Sequence, residues 1–364
     1  MSRRATKLFK AALSALHYSG ADGLIAPFTA GNGVIFMLHQ VSPEAPEAFS
    51  PNRILKVTPD FLERVIVQVR DAGFDIISMD DVPERIKAAP GGRPFAVFTL
   101  DDGYRDNAEH AYPVFKRHNA PFTIYVASDF ADGRGDLWWL SLEEALRHLP
   151  EVTLTINGAN RHFKLGTPDE KDQAFHVIYW WLRSVPERLA RAITDQLARD
   201  ANIDPTAFCR DLVMTWDELR TLAQDPLVSF GAHTCSHLML SKLSEDEVRQ
   251  EIGESVRRIE SELGRPVRHF SYPYGCETSA DAREFEICRE FGFATAVTTR
   301  KGLLYTKDAV DMVALPRLSL NGDFQEAHYV KVLLSGAPFA IWNAAQRFSS
   351  PRVSSQSPTM PAAR

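Results

Sequence analysis

Short apolar runs rich in β-branched and aromatic residues recur along the chain and alternate with longer segments of helical period. This is the pattern of βα units around a largely parallel sheet. The runs predict strands at Val34–Leu38, Asp75–Met79, Ala96–Leu100, Thr123–Ala127, Val228–Gly231, His269–Tyr272, Thr295–Thr298 and Val313–Leu318. Eight strands suit a barrel or a large open α/β sheet. Between them, Thr58–Gly73 reads as a helix with Thr58 as N-cap, Pro59 in the first turn and Gly73 closing it. Ser244–Gly264 is a second, in which Ser244 and Glu247 form a capping box and Val248, Ile252, Val256, Ile259 and Leu263 make one apolar stripe.

The pattern changes over residues 136–211, where a hairpin-like VTLTINGANRHFKL precedes polar helical sequence; this reads as an insertion. Its Trp138, Trp139, Trp180 and Trp181 are expected to be packing residues rather than platforms for sugar rings. At the N-terminus, Leu8, Phe9, Ala12, Leu13 and Leu16 recur at helical spacing, while Lys10, Ser14 and His17 interrupt the apolar core a secretory signal needs. Residues 1–30 are therefore expected to form an amphipathic lead-in helix. It either packs on the main domain or sets Arg3, Arg4, Lys7 and Lys10 against an anionic membrane surface. The main domain is expected over 31–335, and 336–364 should hold a helix end and, from Ser349, a disordered Ser- and Pro-rich tail.

Composition narrows the classes of function. With 45% apolar and 24% charged residues the chain is an ordinary globular one. A net charge of −6 argues against nucleic acid as a partner. No apolar run approaches the roughly 18 residues of a membrane span. Cys209, Cys235, Cys276 and Cys288 are scattered without a CxxC pair, against a disulfide framework and in favour of a reducing compartment. The location expected is cytoplasmic or peripheral to the inner membrane face, with secretion left open.

Phe98-Thr99-Leu100-Asp101-Asp102-Gly103 sets two carboxylates where an apolar strand ends, which is where α/β proteins build sites. One can hold a metal while the other takes a proton; an isolated Asp-Asp-Gly would otherwise be a solvated turn. His233-Thr234-Cys235-Ser236-His237 offers two imidazoles at i and i+4, which share a face if the segment is helical and leave Cys235 out of the ligand set. One carboxylate and two imidazoles keep coordination positions open, as in catalytic sites.

TLDDG and HTCSH, together with GYRDNAEHAYPVFKRHNAPFTIYV, resemble the polysaccharide deacetylase family, the NodB-homology or carbohydrate esterase family 4 group, over roughly Val34–Leu320. The resemblance implies a distorted (β/α) barrel of about seven to eight strands and hydrolysis of N-acetyl groups on an amino-sugar oligo- or polysaccharide of chitooligosaccharide type. By motif position it implies Asp101 as general base and Asp102, His233 and His237 as ligands of one divalent metal ion, with zinc favoured and cobalt, nickel or manganese as alternatives. The family's Arg-x-Pro-Tyr motif is Ser271-Tyr272-Pro273-Tyr274 here, so the Tyr274 backbone N–H carries over as oxyanion donor while the Arg is missing. Arg317, in Leu-Pro-Arg on a late strand, either supplies that guanidinium or is an ordinary surface residue. The C-terminal Leu-x-x-His motif has no match; Met37-Leu38-His39 resembles it as in permuted members, which makes His39 the expected general acid. The competing readings are an amidase or imidase on this scaffold and a catalytically silent carbohydrate-binding protein.

Overall fold

The computed structural model describes residues 3–87 and 92–342; the tail expected from Ser349 lies outside them. The strands of the main sheet are β1 (Gly33–Leu38), β2 (Asp75–Ile76), β3 (Phe95–Leu100), β4 (Phe122–Val126), β5 (Val228–Ala232), β6 (His269–Ser271), β7 (Thr295–Lys301) and β8 (Leu315–Ser319). They pair in parallel in the order β1-β8-β7-β6-β5-β4-β3-β2. β1 also pairs with β3 along its whole length, from Gly33↔Phe95 to Leu38↔Leu100. That pairing closes seven strands into a barrel and leaves β2 outside, as the resemblance implied.

All six residues of β1 and all six of β3 are buried, the mark of strands covered on both faces. Phe36 stacks on Phe98 at 5.0 Å, and Phe115 of the helical layer meets Phe98 edge-on at 5.4 Å and stacks on Phe122 at 4.3 Å. Ile35, Val97, Tyr125, Val297 and Leu315 form a separate cluster on the other face of the strands. The expected strand Asp75–Met79 is shorter, because Asp81 accepts from the Ser78 N–H at 3.2 Å and hydroxyl at 2.8 Å and starts a single helical turn. Both expected helices form: Pro59–Asp71 with the Thr58 cap, and Glu245–Leu263 with the Ser244 capping box and Gly264 at φ 65°.

Residues 136–211 supply most of a second apolar cluster, around Trp138, Trp139, Ile178 and Leu197, which Phe49, Tyr104 and Phe130 of the main domain join. It contains a hairpin, Glu151–Ile156 with Ala159–Lys164, turned by Asn157 and Gly158 at φ 51° and 79°. The lead-in segment is two helices, Arg3–Tyr18 and Ala21–Thr29, broken at Gly20 with φ 73°. The first packs through Phe9, Leu13 and Leu16 on Phe324, Tyr329 and Val332, and Leu8, Leu24 and Phe28 face outward. No described helix is long and apolar enough to cross a membrane, and all four thiols are free.

Candidate metal centre

The strand ends bring the expected residues together. The Asp101 N–H donates to Leu38 O at 2.9 Å, tying the end of β3 to β1. Asp102 and Gly103 then turn the chain at φ 74° and 72°, so two consecutive carboxylates converge instead of alternating across a sheet. His233 follows β5, its N–H bonded to Val126 O at 2.9 Å. The HTCSH segment is a loop and not the helical turn its spacing suggested. The cause lies in Glu251 on the neighbouring helix, whose carboxylate accepts from the N–H groups of Cys235 and Ser236 at 3.0 and 2.9 Å and draws the chain out of helical form. Cys235 is buried, with its thiol on Glu251 O, and stays outside the ligand set.

Seven described residues other than glycine have a left-handed backbone. Asn119, Asn157 and Asn202 lie away from the site, and Asn, Asp and His are the non-glycine types that adopt this conformation most readily, so Thr234 and Tyr274 are the unusual ones. The other four are Asp102, Thr234, His237 and Tyr274, all at this site. Conformations of this kind cost on the order of 1 kcal/mol or more each and persist only where the surroundings impose them.

Asp102 Oδ1 stands 3.5 Å from His233 Nε2 and 3.4 Å from His237 Nε2. Oδ1 is buried and has no hydrogen-bond partner, and neither has His237 Nδ1. His233 Nδ1 lies 2.6 Å from Ser271 O, which assigns its proton to that nitrogen and leaves an Nε2 lone pair facing Asp102. Burial, and then the charge of Asp101, push the Asp102 carboxyl well above the usual carboxylate range. Burial and then His233 push His237 far down, and burial lowers His233 as well. A shared cation reverses the first effect and exploits the second, because it needs an ionised carboxylate and neutral imidazoles. The ligand atoms of the three residues lie within 4.8 Å of one another, so they fit one divalent ion.

Asp101 has a different partner. Arg317, 1% exposed, reaches from β8 and donates from Nη1 and Nη2 to the two carboxylate oxygens at 2.8 and 2.7 Å. Its other donors meet Thr298 O, Thr99 Oγ1 and Ser271 Oγ at 2.9, 3.1 and 3.0 Å. Ser271, the residue in place of the motif arginine, thus shares the space with the guanidinium. Burial raises the Asp101 carboxyl, but Arg317, helped by His233 and His39, outweighs it and brings the pKa to about 2.

His39 follows β1, and its carbonyl accepts from Asn107 Nδ2 at 2.8 Å. Its ring has no hydrogen bond to a described residue but senses Asp101, Arg317 and His233. Burial, opposed by Asp101, lowers its pKa to about 4. Tyr274 has φ 61°, and no described acceptor takes its backbone N–H. Its carbonyl accepts from Thr299 Oγ1 at 2.6 Å, and the next residue must be glycine: a Cβ on Gly275 would sit 2.6 Å from Thr299 N.

The sequence reading missed how the insertion walls the site. The Trp139 ring lies 5.1 Å from that of His237, tilted at 59° to it. Trp138 Nε1 donates to the Tyr274 hydroxyl at 2.8 Å, and Arg191 reaches His237 O at 3.5 Å. Trp138 and Trp139 are buried packing residues, as expected, and Trp181 packs against the same cluster, whereas Trp180 is exposed. The available signal was the density of Trp, Tyr and Arg in an otherwise polar segment.

The polysaccharide deacetylase family model matches residues 173–296, which include HTCSH and SYPYG and begin after Asp101 and Asp102. No curated protein sequence matches the chain. Among solved structures, the Streptococcus pyogenes deacetylase PplD in complex with acetate matches with a TM-score of 0.54 at 16% identity, covering 82% of this chain and 97% of that one. A putative polysaccharide deacetylase from Bacillus anthracis gives 0.53 at 13% identity, with 83% and 68% covered. IcaB from Ammonifex degensii gives 0.51 at 15% identity, with 84% and 97% covered. At such identities the likeness is one of fold. The family model, over 173–296, and the shared fold agree with the resemblance read from the motifs.

Proposed function

We propose that this protein is a metal-dependent N-deacetylase of N-acetylated amino-sugar oligo- or polysaccharides, chitooligosaccharide-like in the reacting unit. The observation that carries the reading is the pairing, in consecutive residues, of an Arg-bound carboxylate with a carboxylate that has no partner except two imidazoles. Asp102, His233 and His237 hold a divalent ion, zinc by their ligand types, with cobalt, nickel or manganese as substitutes. When bound, the ion supplies Lewis-acid polarisation of the acetyl carbonyl and acidifies an adjacent water.

The chain's own groups do the rest. Asp101, fixed by Arg317, takes the proton of the attacking water. Its pKa of about 2 keeps it ionised and ready to accept at neutral pH. The Tyr274 N–H donates to the oxyanion. His39, neutral at rest with a pKa of about 4, gains basicity as negative charge develops beside it, takes up the proton that Asp101 drew from the water and hands it to the leaving amine. Acetate is the product, and PplD of the same fold was solved with acetate. Peripheral membrane contact by the lead-in helices is supported by outward Leu8, Leu24 and Phe28 and by a sequence without acidic residues before Asp22; flotation with anionic against neutral vesicles tests it.

The deciding experiment measures acetate release from N-acetylglucosamine oligomers by metal-stripped protein and by protein reconstituted with zinc, cobalt, nickel or manganese. Release should appear only on reconstitution and fall at least about 100-fold in His39→Gln. No release with any metal, or release from cyclic ureides alone, overturns the reading.

A further inference from the structure

The insertion brings to the site one cation that this chemistry does not use. Arg183, which ends the helix Pro168–Leu182, lays its guanidinium over the Tyr274 ring at 4.0 Å, and that ring stands 5.0 Å from the His237 ring. Its other contacts are neutral too. Nη1 donates to the Tyr179 hydroxyl at 3.2 Å, Nη2 meets Cys276 Sγ at 3.7 Å, and the Trp180 ring lies 5.6 Å away. Nε is buried without a hydrogen-bond partner.

Among the described residues no carboxylate comes within 4.0 Å of this guanidinium. Glu187, one helical turn on in sequence, is taken by Lys242 at 2.8 Å and Arg191 at 3.8 Å. Arg191, the other insertion cation at the site, also has Asp136 at 3.3 Å. The two arginines thus differ: one is neutralised within the fold and one is not. A half-buried cation beside a site that collects a divalent ion is unfavourable, and aromatic faces offset only part of that. A guanidinium with free donors in a fixed plane is built to take a carboxylate or phosphate in bidentate fashion.

We propose that Arg183 forms an anion subsite one aromatic ring away from the metal ligands, and that the natural substrate carries a carboxylate or phosphate on or beside the N-acetylated sugar. Its location relative to the reacting amide rests on the deacetylase reading. Its charge preference does not, because binding alone reads it. A sugar acid and a phosphate-linked precursor share this chemistry, and the choice of probe separates them.

The test titrates zinc-reconstituted full-length protein by calorimetry with N-acetylglucosamine, N-acetylglucosamine 1-phosphate and N-acetylmuramic acid, and runs acetate release from N-acetylglucosamine oligomers in parallel. Wild type should bind at least one anionic sugar about tenfold or more tighter than the neutral one, the factor of one charge-assisted hydrogen bond. Arg183→Gln should cut that ratio to about twofold or less, and Arg183→Lys, which keeps the charge but loses the planar fork, should fall between the two. A preference for only one anion identifies the phosphate or the carboxylate source. Equal affinity for all three sugars in wild type, no binding of any, or a preference that survives Arg183→Gln and so belongs to the metal, overturns the proposal. Charge preference without acetate release sinks the deacetylase reading and leaves the subsite; acetate release without charge preference does the reverse.

Discussion

Asp101 and Asp102 are neighbours in sequence and equally buried, each 2% exposed, yet their acidities move in opposite directions. Burial raises both. For Asp101 the Arg317 guanidinium overrides it and brings the pKa to about 2, whereas for Asp102 the adjacent Asp101 charge adds to it and the carboxyl rises. The difference teaches that burial does not fix a charge state; the partner does. One half of the site is completed by the chain itself, with every carboxylate oxygen bonded to Arg317. The other half is held open, its Oδ1 facing two imidazoles and nothing else.

The largest effect should come from breaking the completed half. Arg317→Met leaves Asp101 as a buried carboxylate without its counter-ion and should cost ~3–5 kcal/mol of stability, read as a lower urea midpoint at unchanged slope. The pH dependence has a definite sign. A folded pKa near 2 against the ordinary 3.8 gives stability that is present above 3.8 and lost as the pH falls towards 2. In the variant burial alone raises the Asp101 carboxyl, so its deficit shrinks as the pH falls through that raised value, and the two proteins should converge progressively down to about pH 2. A gap that stays constant from pH 5 to 2 would show that the ion pair is not its source.

How much of this half was legible in the sequence follows from the same residues. Strands and their order of burial were readable, since β1 and β3 are continuous apolar runs with no competing period. TLDDG was readable because its chemistry is local. The Asp101–Arg317 pair joins residues 216 positions apart, and no local pattern announces it. The replacement of the motif arginine by Ser271 raised the question that Arg317 answers, because a small hydroxyl there leaves room for a guanidinium from β8 and bonds it. The HTCSH conformation was misread for a related reason: i, i+4 spacing signals a helix only if the backbone N–H groups bond within the segment, and here Glu251 takes two of them. The insertion's wall over the site depends on tertiary contacts such as Trp139 on His237; the density of Trp, Tyr and Arg marks the segment but does not say what it faces.

The open half should respond to metal. Zinc at a hundredfold excess over its dissociation constant should stabilise wild type by ~2.7 kcal/mol, a gain that a chelator reverses. Thermal denaturation with and without zinc measures it. Asp102→Asn and His237→Ala should lose most of the gain, because each removes one of three ligands. A wild type whose melting temperature ignores zinc, cobalt, nickel and manganese alike would remove the asymmetry between the two halves.

The smallest effect separates the halves most sharply, because the same Asp→Asn exchange should be nearly free at one position and costly at the next. In metal-free protein Asp102 has a raised folded pKa, so the stability it contributes is present below the unfolded value of 3.8 and is lost as the pH rises. Asp102→Asn removes that loss: at pH 7 it should leave metal-free stability unchanged within ~1 kcal/mol or increase it, since a neutral amide replaces a carboxylate that burial disfavours. Asp101→Asn should destabilise by several kcal/mol, because it strands the Arg317 charge instead. Urea denaturation of the two variants beside wild type, all metal-stripped, makes the comparison. Equal losses at both positions would mean that Asp102 has a partner within the chain, and the argument for a metal in its place would fall with that result.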